Sequence, residues 1–145
     1  MGFDMYLNKK IDVDAEYGVL TGTISLKVGD KPVNVRLDRL KFIVERQAQW
    51  YNAYSIHKWF VDNVQNGCDN DGYYEVCGCD LQKLVDNCKQ ILENKELAKT
   101  LLPAADSYGF ACDVYDDRYF KQVEDTVKQL NDLEEHAWYE YSSGW

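Results

Sequence analysis

The stretch GFDMYLN, residues 2–8, decides the fold class because its side chains alternate in character along the chain. Phe3, Met5 and Leu7 share one apolar face, and polar or amphipathic side chains lie between them. This period of two predicts a strand that is buried on one face. A second aromatic stretch, AWYEYSS, predicts another strand over residues 137–141. We therefore expect strands near both ends of the chain.

The region after this first strand predicts a hairpin and one further strand. TGTISLKV and VNVRL are joined by GDKP, which places Pro32 in the turn. Six apolar side chains are expected to face one another across this hairpin: Ile24, Leu26, Val28, Val33, Val35 and Leu37. LKFIVERQAQW, residues 40–50, fits either a strand or a helix, and we favour a strand. A short strand is also expected at YYEVC, residues 73–77.

The middle and the last third of the chain predict helices. Residues 52–65 have helical periodicity and are followed by Gly67. A second helix is expected to start at Asp80, and a short helical turn precedes Pro103. Asp116 is expected to cap the last helix, whose predicted buried stripe is Phe120, Val123, Val127 and Leu130. Its outer face predicts the ion pairs Asp117–Lys121 and Glu124–Lys128.

Together these elements predict a single α+β domain over residues 1–145. Its sheet is expected to be mostly antiparallel and to pack against about three helices. The length of 145 residues suits one hydrophobic core. No apolar run is long enough to cross a bilayer, and the start of the chain lacks the pattern of a signal peptide. We therefore expect a cytoplasmic protein with no membrane partner.

The net charge of −9 is unevenly distributed. Residues 1–58 sum to +2 and residues 59–145 to −11. Among the segments without lysine or arginine, the most telling are the stretch between Lys58 and Lys83 and the stretch between Lys99 and Arg118. Such surfaces repel phosphate backbones and attract basic proteins. The partner-binding residues expected on this basis are Asp62, Asp69, Asp71, Glu75, Asp106, Asp113, Asp116 and Asp117. A solvated acidic surface that only maintains solubility is the simpler alternative.

No catalytic motif is present in the sequence. It contains neither a phosphate-binding glycine loop nor a nucleophile motif. The five cysteines are odd in number and lack zinc-finger spacing, so we expect reduced thiols and neither a metal nor another cofactor. A pocket remains an alternative site, and its expected lining residues are His57, Asn63, Gln65, Asp69, Tyr115 and Tyr119. A packed, hydrogen-bonded His57 without a catalytic role is the competing interpretation.

Several segments resemble a group of small proteins encoded by bacteriophages and prophages. The similar segments are residues 2–7, Trp50, residues 56–67 (IHKWFVDNVQNG), 101–103, 113–120 and 142–145. The resemblance covers nearly the whole chain but implies no reaction. Members of the group carry a basic pair where this chain has Tyr51 and Asn52, so an anion site there would have lost its donors here.

The resemblance implies a phage accessory protein that acts on host machinery. With the acidic segments, it leads us to expect a non-enzymatic inhibitor of a basic host protein, such as a CRISPR nuclease or another nucleic-acid-binding defence effector. The alternatives are a small-molecule-binding protein or enzyme built on the pocket, and a component of the virion or of its assembly.

Overall fold

The computed structural model describes residues 2–13, 22–105 and 115–144. Six strands and four α-helices are found in these ranges, besides two short 3-10 helices: β1 (Asp4–Asp12), β2 (Leu26–Val28), β3 (Lys31–Val33), β4 (Phe42–Tyr51), α1 (Tyr54–Asn63), β5 (Tyr73–Cys77), α2 (Gly78–Glu93), α3 (Ala98–Leu101), α4 (Asp117–Gln129) and β6 (Trp138–Gly144). The predicted α+β class is confirmed. Three of the helices are long, and α3 is a single turn.

The main sheet has the strand order β4-β1-β6-β5, and every neighbouring pair is antiparallel. The alternation in residues 2–8 fixes its buried face, since Met5 and Leu7 are fully buried. Leu7 lies opposite Ala48 on one side and Tyr141 on the other, and all three belong to the core. The strands predicted at residues 40–50, 73–77 and 137–141 are confirmed.

The helices cover the buried face of the sheet. The Phe60 ring of α1 stacks on Tyr141 of β6 with 3.8 Å between ring centroids. Helix α2 packs against α4 and β5, and α4 also contacts β4. The Trp50 indole N–H donates a hydrogen bond of 2.8 Å to the hydroxyl of Thr126, so a polar pair ties β4 to α4 inside the core. None of the described helices is long and apolar enough to cross a membrane.

The hairpin is confirmed, but it is shorter than predicted. Pro32 lies within β3, opposite Lys27, and the turn is formed by Gly29 and Asp30. Gly29 has φ of 60°, which favours glycine and explains the position of the turn. Of the six apolar side chains expected to meet, only Leu26 and Val33 are paired. Both are exposed, because no other described element covers this two-stranded sheet.

Two helices differ from their predictions, α2 in its first residue and α4 in its buried face. Helix α2 starts at Gly78 rather than Asp80, because the Cys77 sulfur already accepts the Cys79 N–H and caps it. Asp80 pairs with Lys83 at 2.7 Å instead. In α4, the cap at Asp116 is confirmed by its hydrogen bond from the Tyr119 N–H.

The buried stripe of α4 is rotated by about one residue relative to the prediction. Tyr119, Val123, Thr126 and Leu130 are buried, whereas Phe120 and Val127 are half-buried. The polar members of this stripe are accommodated because they form hydrogen bonds; the Tyr119 hydroxyl donates to the Leu102 carbonyl at 2.6 Å. On the outer face, the pair Glu124–Lys128 is confirmed at 2.8 Å. The pair Asp117–Lys121 is wrong, because Lys121 pairs with Asp125 instead.

Asn52 connects β4 to the start of β1. Its backbone has φ of 50°, in the left-handed region that asparagine tolerates better than most residues. Its side-chain oxygen accepts the Phe3 N–H at 2.8 Å, and its own N–H donates to the Phe3 carbonyl at 2.8 Å. The Gln122 side chain of α4 also donates to the Asn52 carbonyl. A basic residue here would not reproduce this junction, which gives a structural reason for asparagine at this position.

Candidate functional site

Helix α1 places His57 inside the protein, where its ring is 3% exposed. The ring contacts Phe3 edge-on with 4.7 Å between ring centroids. It lies on the same helix as the exposed ion pair Lys58–Asp62, at 2.8 Å. Seven of the ten residues of α1 are buried, so little of this helix is in contact with solvent. The apolar surroundings of His57 match the competing interpretation of a packed, hydrogen-bonded residue.

Both ring nitrogens of His57 have polar partners. The Tyr141 hydroxyl lies 2.7 Å from Nδ1, and an oxygen of Asp69 lies 3.0 Å from Nε2. Tyr141 is contributed by β6, whereas Asp69 lies in the loop after α1. The chain reverses direction before Asp69 through Asn66 and Gly67, whose φ values are 55° and 76°. A turn of this kind brings the carboxylate back over the helix that precedes it.

The positions of the protons follow from burial. Burial lowers the pKa of His57 below its ordinary value, although the adjacent Asp69 carboxylate opposes this shift. The imidazole is therefore neutral at pH 7. Burial also raises the pKa of Tyr141, so its hydroxyl stays protonated. Hence Tyr141 donates to Nδ1, and Nε2–H donates to the Asp69 carboxylate.

A cavity of about 450 Å³ opens beside this hydrogen-bonded chain. Its lining residues come from α1, the loop after it and the segment after α3: Tyr54, His57, Lys58, Val61, Asp62, Gly67, Asp69, Ala104 and Ala105. Asp69 has 27% of its side chain exposed. Of the three hydrogen-bonded residues Tyr141, His57 and Asp69, it is therefore the most accessible to a ligand. Lys58 contributes one positive formal charge to the lining, whereas Asp62 and Asp69 contribute two negative ones. The net charge of −1 favours a cationic ligand.

The pocket residues predicted from the sequence only partly converge. His57 and Asp69 line the cavity together. Asn63 instead donates to the Trp59 carbonyl at 2.8 Å. Tyr115 contacts the cavity wall from outside, since its hydroxyl accepts the Ala104 N–H at 3.0 Å. Tyr119 is buried in the core and does not line the cavity.

Gln65 is also buried at the end of α1, close to the Asp69 loop. Its Nε2 lies 3.4 Å from the Asn70 carbonyl. Its Oε1 has no hydrogen-bond partner among the described residues. An orphaned buried oxygen is costly, which makes this loop a place where a water molecule or a ligand donor would be stabilised.

The predicted acidic residues have three different roles. Asp62 is paired with Lys58, and Asp69 accepts from His57. Asp116 caps α4, and Asp117 lies in the first turn of that helix, where a carboxylate interacts favourably with the helix dipole. Asp71 and Glu75 are exposed, and no ion pair to lysine or arginine is found for either among the described residues. Asp106 and Asp113 lie outside the described residues.

The open face of the sheet carries an acidic pair that sequence reasoning missed. Glu75 of β5 lies directly opposite Glu140 of β6. Like charges in such a cross-strand pair are destabilising, and no lysine or arginine of the described chain forms an ion pair with either. Tyr73 lies two residues before Glu75, and Trp138 lies two residues before Glu140, so both rings are on the same face as the acidic pair. Their side chains are 76% and 58% exposed. We call these four residues the acidic-aromatic patch.

The sequence contained a partial signal for this patch. Alternation in WYEY predicts that Trp138 and Glu140 share a face, and YYEVC predicts the same for Tyr73 and Glu75. The pairing of the two strands, separated by about 60 residues, could not be deduced from either pattern. Among the described residues, no group of three or more His, Cys, Asp or Glu side chains is arranged to hold a metal ion.

The expectation of reduced thiols is wrong for Cys77 and Cys79. Their sulfur atoms are joined in a disulfide, with 5.2 Å between the Cα atoms. One intervening glycine lets both side chains meet at the corner between β5 and α2. Cys68 and Cys88 are free, the first exposed and the second buried, and burial raises the pKa of the Cys88 thiol to about 12. Cys112 lies outside the described residues.

Comparisons with protein-family models, with curated proteins and with solved structures found no match to this chain. The resemblance to phage-encoded proteins therefore stays a prediction from the sequence.

Proposed function

We propose that this protein binds a basic partner protein through the acidic-aromatic patch and an adjacent acidic loop. The acidic loop is the segment before β5 that carries Asp69 and Asp71. The observation that carries this proposal is the Glu75–Glu140 pair, which lacks a described lysine or arginine counter-ion on an open sheet face. An arginine or lysine of a partner would remove the repulsion between the two carboxylates. The binding free energy would therefore include relief of an unfavourable interaction that is already present in the free protein.

The aromatic members of the patch support a cationic ligand. The faces of tyrosine and tryptophan rings attract guanidinium and ammonium groups, and arginine can also donate two hydrogen bonds to a carboxylate. Exposed tyrosine and tryptophan side chains are enriched among residues that dominate binding energy at protein interfaces. Asp69 and Asp71 extend the negative surface from β5 towards the cavity beside α1. An extended basic segment, such as a nucleic-acid-binding surface, matches this arrangement.

The resemblance to phage-encoded proteins suggests which basic proteins to test. A host nucleic-acid-binding defence effector, such as a CRISPR nuclease, has the required charge. Occupation of its basic channel by the acidic loop and the patch would exclude the nucleic acid. Inhibition of this kind needs no catalytic step by the present chain.

A peptide of eight arginines provides a defined probe for the proposal. Its binding to the wild-type protein is measured by NMR titration at 50 and 300 mM NaCl, with the Trp138 indole N–H as the reporter. The variant Glu75→Gln/Glu140→Gln should bind about tenfold more weakly, equivalent to ~1.4 kcal/mol. Raised salt should weaken the wild-type complex more than that of the variant.

The matched control is Glu93→Gln/Glu96→Gln, which removes two exposed charges at the end of α2 and just after it. Equal loss of affinity in the two variants would show that only net charge matters and would refute the patch as a site. Affinity capture from host lysate with the wild-type protein and both variants then identifies the partner. A nuclease recovered in this way is tested for inhibition of DNA cleavage.

The cavity beside α1 supports a second candidate function, the binding of a small cationic molecule. The net charge of its lining and the exposed Asp69 oxygen favour an amine or a guanidinium group. Catalysis is a weaker interpretation, because both nitrogens of His57 are occupied and none of the described lining residues is a serine, threonine or cysteine. Asp69→Asn should lower the affinity for spermidine, measured by calorimetry. The same measurement on Asp62→Asn tests whether the α1 carboxylate of the lining contributes to binding. Unchanged affinity in both variants would exclude the cavity as the spermidine site.

A further inference from the structure

The corner between β5 and α2 holds a disulfide whose position differs from that of a structural cross-link. Cys77 and Cys79 are separated only by Gly78, so the bond closes a loop of three residues. The chain entropy that a disulfide removes from the unfolded state grows with loop length and is small for such a loop. Exposed disulfides are also the labile ones, and Cys79 is exposed.

The two sulfur atoms have different surroundings. Cys79 is open to solvent, whereas Cys77 is half-buried and occupies the N-cap of α2. The Cys77 sulfur accepts the backbone N–H of Cys79 at 3.3 Å. It also lies 3.3 Å from the Glu135 carbonyl oxygen, which can accept a hydrogen bond once Cys77 carries a proton. Negative charge at this position is stabilised by the N-terminus of a sixteen-residue helix.

This asymmetry assigns the two roles in thiol–disulfide exchange. An incoming thiolate reaches the sulfur of Cys79, and Cys77 is the better-stabilised leaving group. Gly78 maintains the arrangement, because a Cβ at this position would lie 1.9 Å from the Glu134 carbonyl oxygen. The corner therefore packs closely against the segment before β6 while its outer sulfur stays accessible.

The surroundings of Cys79 also determine which incoming thiols can approach it. A cavity of about 320 Å³ beside Cys79 is lined by Gly78, Gln82, Leu133 and Glu135. Its volume suits a small molecule, and its charged member is a carboxylate. A cationic thiol is attracted by this carboxylate and by the acidic-aromatic patch, whose Trp138 lies opposite Cys77 in the strand register. An anionic thiol such as glutathione is repelled.

We infer that Cys77 and Cys79 form a thiol–disulfide exchange site that reacts with small cationic thiols and their disulfides. A thiolate RS⁻ attacks the Cys79 sulfur, the Cys77–Cys79 bond breaks, and Cys77 leaves as a thiolate that then takes up a proton. A second RS⁻ attacks the sulfur of the bound R group and releases RSSR and the Cys79 thiolate. In sum, the protein disulfide and two RSH give the protein dithiol and RSSR. The reverse reaction, with RSSR as oxidant, restores the disulfide.

The folded wild-type protein is tested with two thiol pairs, cysteamine with cystamine and reduced with oxidised glutathione. Intact mass spectrometry after acid quenching should show a reversible change equal to two hydrogen atoms. At equal thiolate concentrations, cysteamine should react about tenfold faster than glutathione, and Glu135→Gln should reduce this ratio. Absence of the disulfide under oxidising buffer, or reduction only after unfolding in urea, would overturn the inference.

Single variants test the assigned roles. With cystamine as the reagent, the Cys79 thiolate of Cys77→Ser should attack a cystamine sulfur, release one cysteamine and accumulate as the mixed disulfide. Cys79→Ser should form the corresponding Cys77 adduct more slowly. Equal adduct rates would show that the two sulfurs are not distinguished and would contradict the assignment. Cys68→Ser removes another exposed thiol and should leave the exchange unchanged. These readouts do not involve the arginine peptide. The exchange site can therefore be refuted while the proposed partner binding holds, and the partner binding can be refuted while the exchange site holds.

Discussion

Removal of the Tyr141 hydroxyl by Tyr141→Phe provides a direct test of the buried hydrogen-bonded chain. The hydroxyl donates to His57 Nδ1 at 2.7 Å and also forms a hydrogen bond with Ser143. Its loss leaves Nδ1 of a buried imidazole without a donor. An unsatisfied buried acceptor costs about 1–3 kcal/mol, so the free energy of unfolding should fall by this amount. For a chain of this size, the melting temperature should fall by about 3–9 °C.

The measurement is urea unfolding followed by far-UV circular dichroism at pH 7.5. Tyr73→Phe is the matched control, since it removes the same group from an exposed ring on β5 and should change stability by less than about 0.5 kcal/mol. Similar small effects in both variants would refute the account of Tyr141 as an essential donor. An unchanged denaturant slope in both variants would show that the comparison concerns the same folded and unfolded states.

A double-mutant cycle isolates the contact itself. The variants are Tyr141→Phe, His57→Gln and the double substitution. Residues that interact directly through a buried hydrogen bond should show a coupling energy of about 0.5–3 kcal/mol. A coupling energy near zero would mean that Tyr141→Phe acts through packing against Phe60 rather than through His57.

Two further predictions concern acid stability and the Asn52 junction. Because burial lowers the pKa of His57 from 6.5, the unfolded chain binds a proton at a higher pH than the folded protein does. The free energy of unfolding should therefore fall as pH drops below 6.5, by at most about 1.4 kcal/mol per pH unit from this residue. Urea titrations at several pH values measure how the free energy of unfolding depends on pH in wild type and in His57→Gln. The control His136→Gln, which replaces an exposed histidine, should keep the wild-type dependence. A wild-type dependence in His57→Gln would contradict its assignment to His57. Asn52→Ala should lower stability by about 1–3 kcal/mol, because it removes the acceptor for the Phe3 N–H and strains a positive φ. Asn52→Gly should lose less, as it keeps the backbone conformation without strain; equal losses in thermal unfolding would assign the whole effect to the side chain.

The sequence predicted the fold well where one local pattern decides an element. Alternation in residues 2–8 indicated which side chains of β1 are buried, and helical spacing located α1 and α4. The errors occurred where a tertiary contact competed with local preference. In α4, hydrogen bonds to Leu102 and Trp50 allow Tyr119 and Thr126 into the core in place of Phe120 and Val127. At α2, a cysteine sulfur replaced the expected aspartate as the cap.

The candidate sites were less predictable because they depend on strand pairing. His57 and Asp69 are twelve residues apart and could be grouped from the sequence. Tyr141, which completes the hydrogen-bonded chain, is brought to His57 only by the position of β6 in the sheet. The same pairing sets Glu75 against Glu140. Glu75 was expected to bind a partner because its segment lacks bases, whereas nothing in the sequence distinguished Glu140 from the other acids. Side chains that meet across strands distant in sequence leave no periodic signal.

The strand order has a consequence for biosynthesis. Strand β5 pairs only with β6 in the described sheet, yet about 60 residues separate the end of one from the start of the other. At a translation rate of about 5–20 residues per second, β5 leaves the ribosome roughly 3–12 s before its partner. During this interval one edge of β1 and the whole of β5 lack neighbours. The nascent chain therefore passes through a stage in which a chaperone can bind these strands or another chain can pair with them.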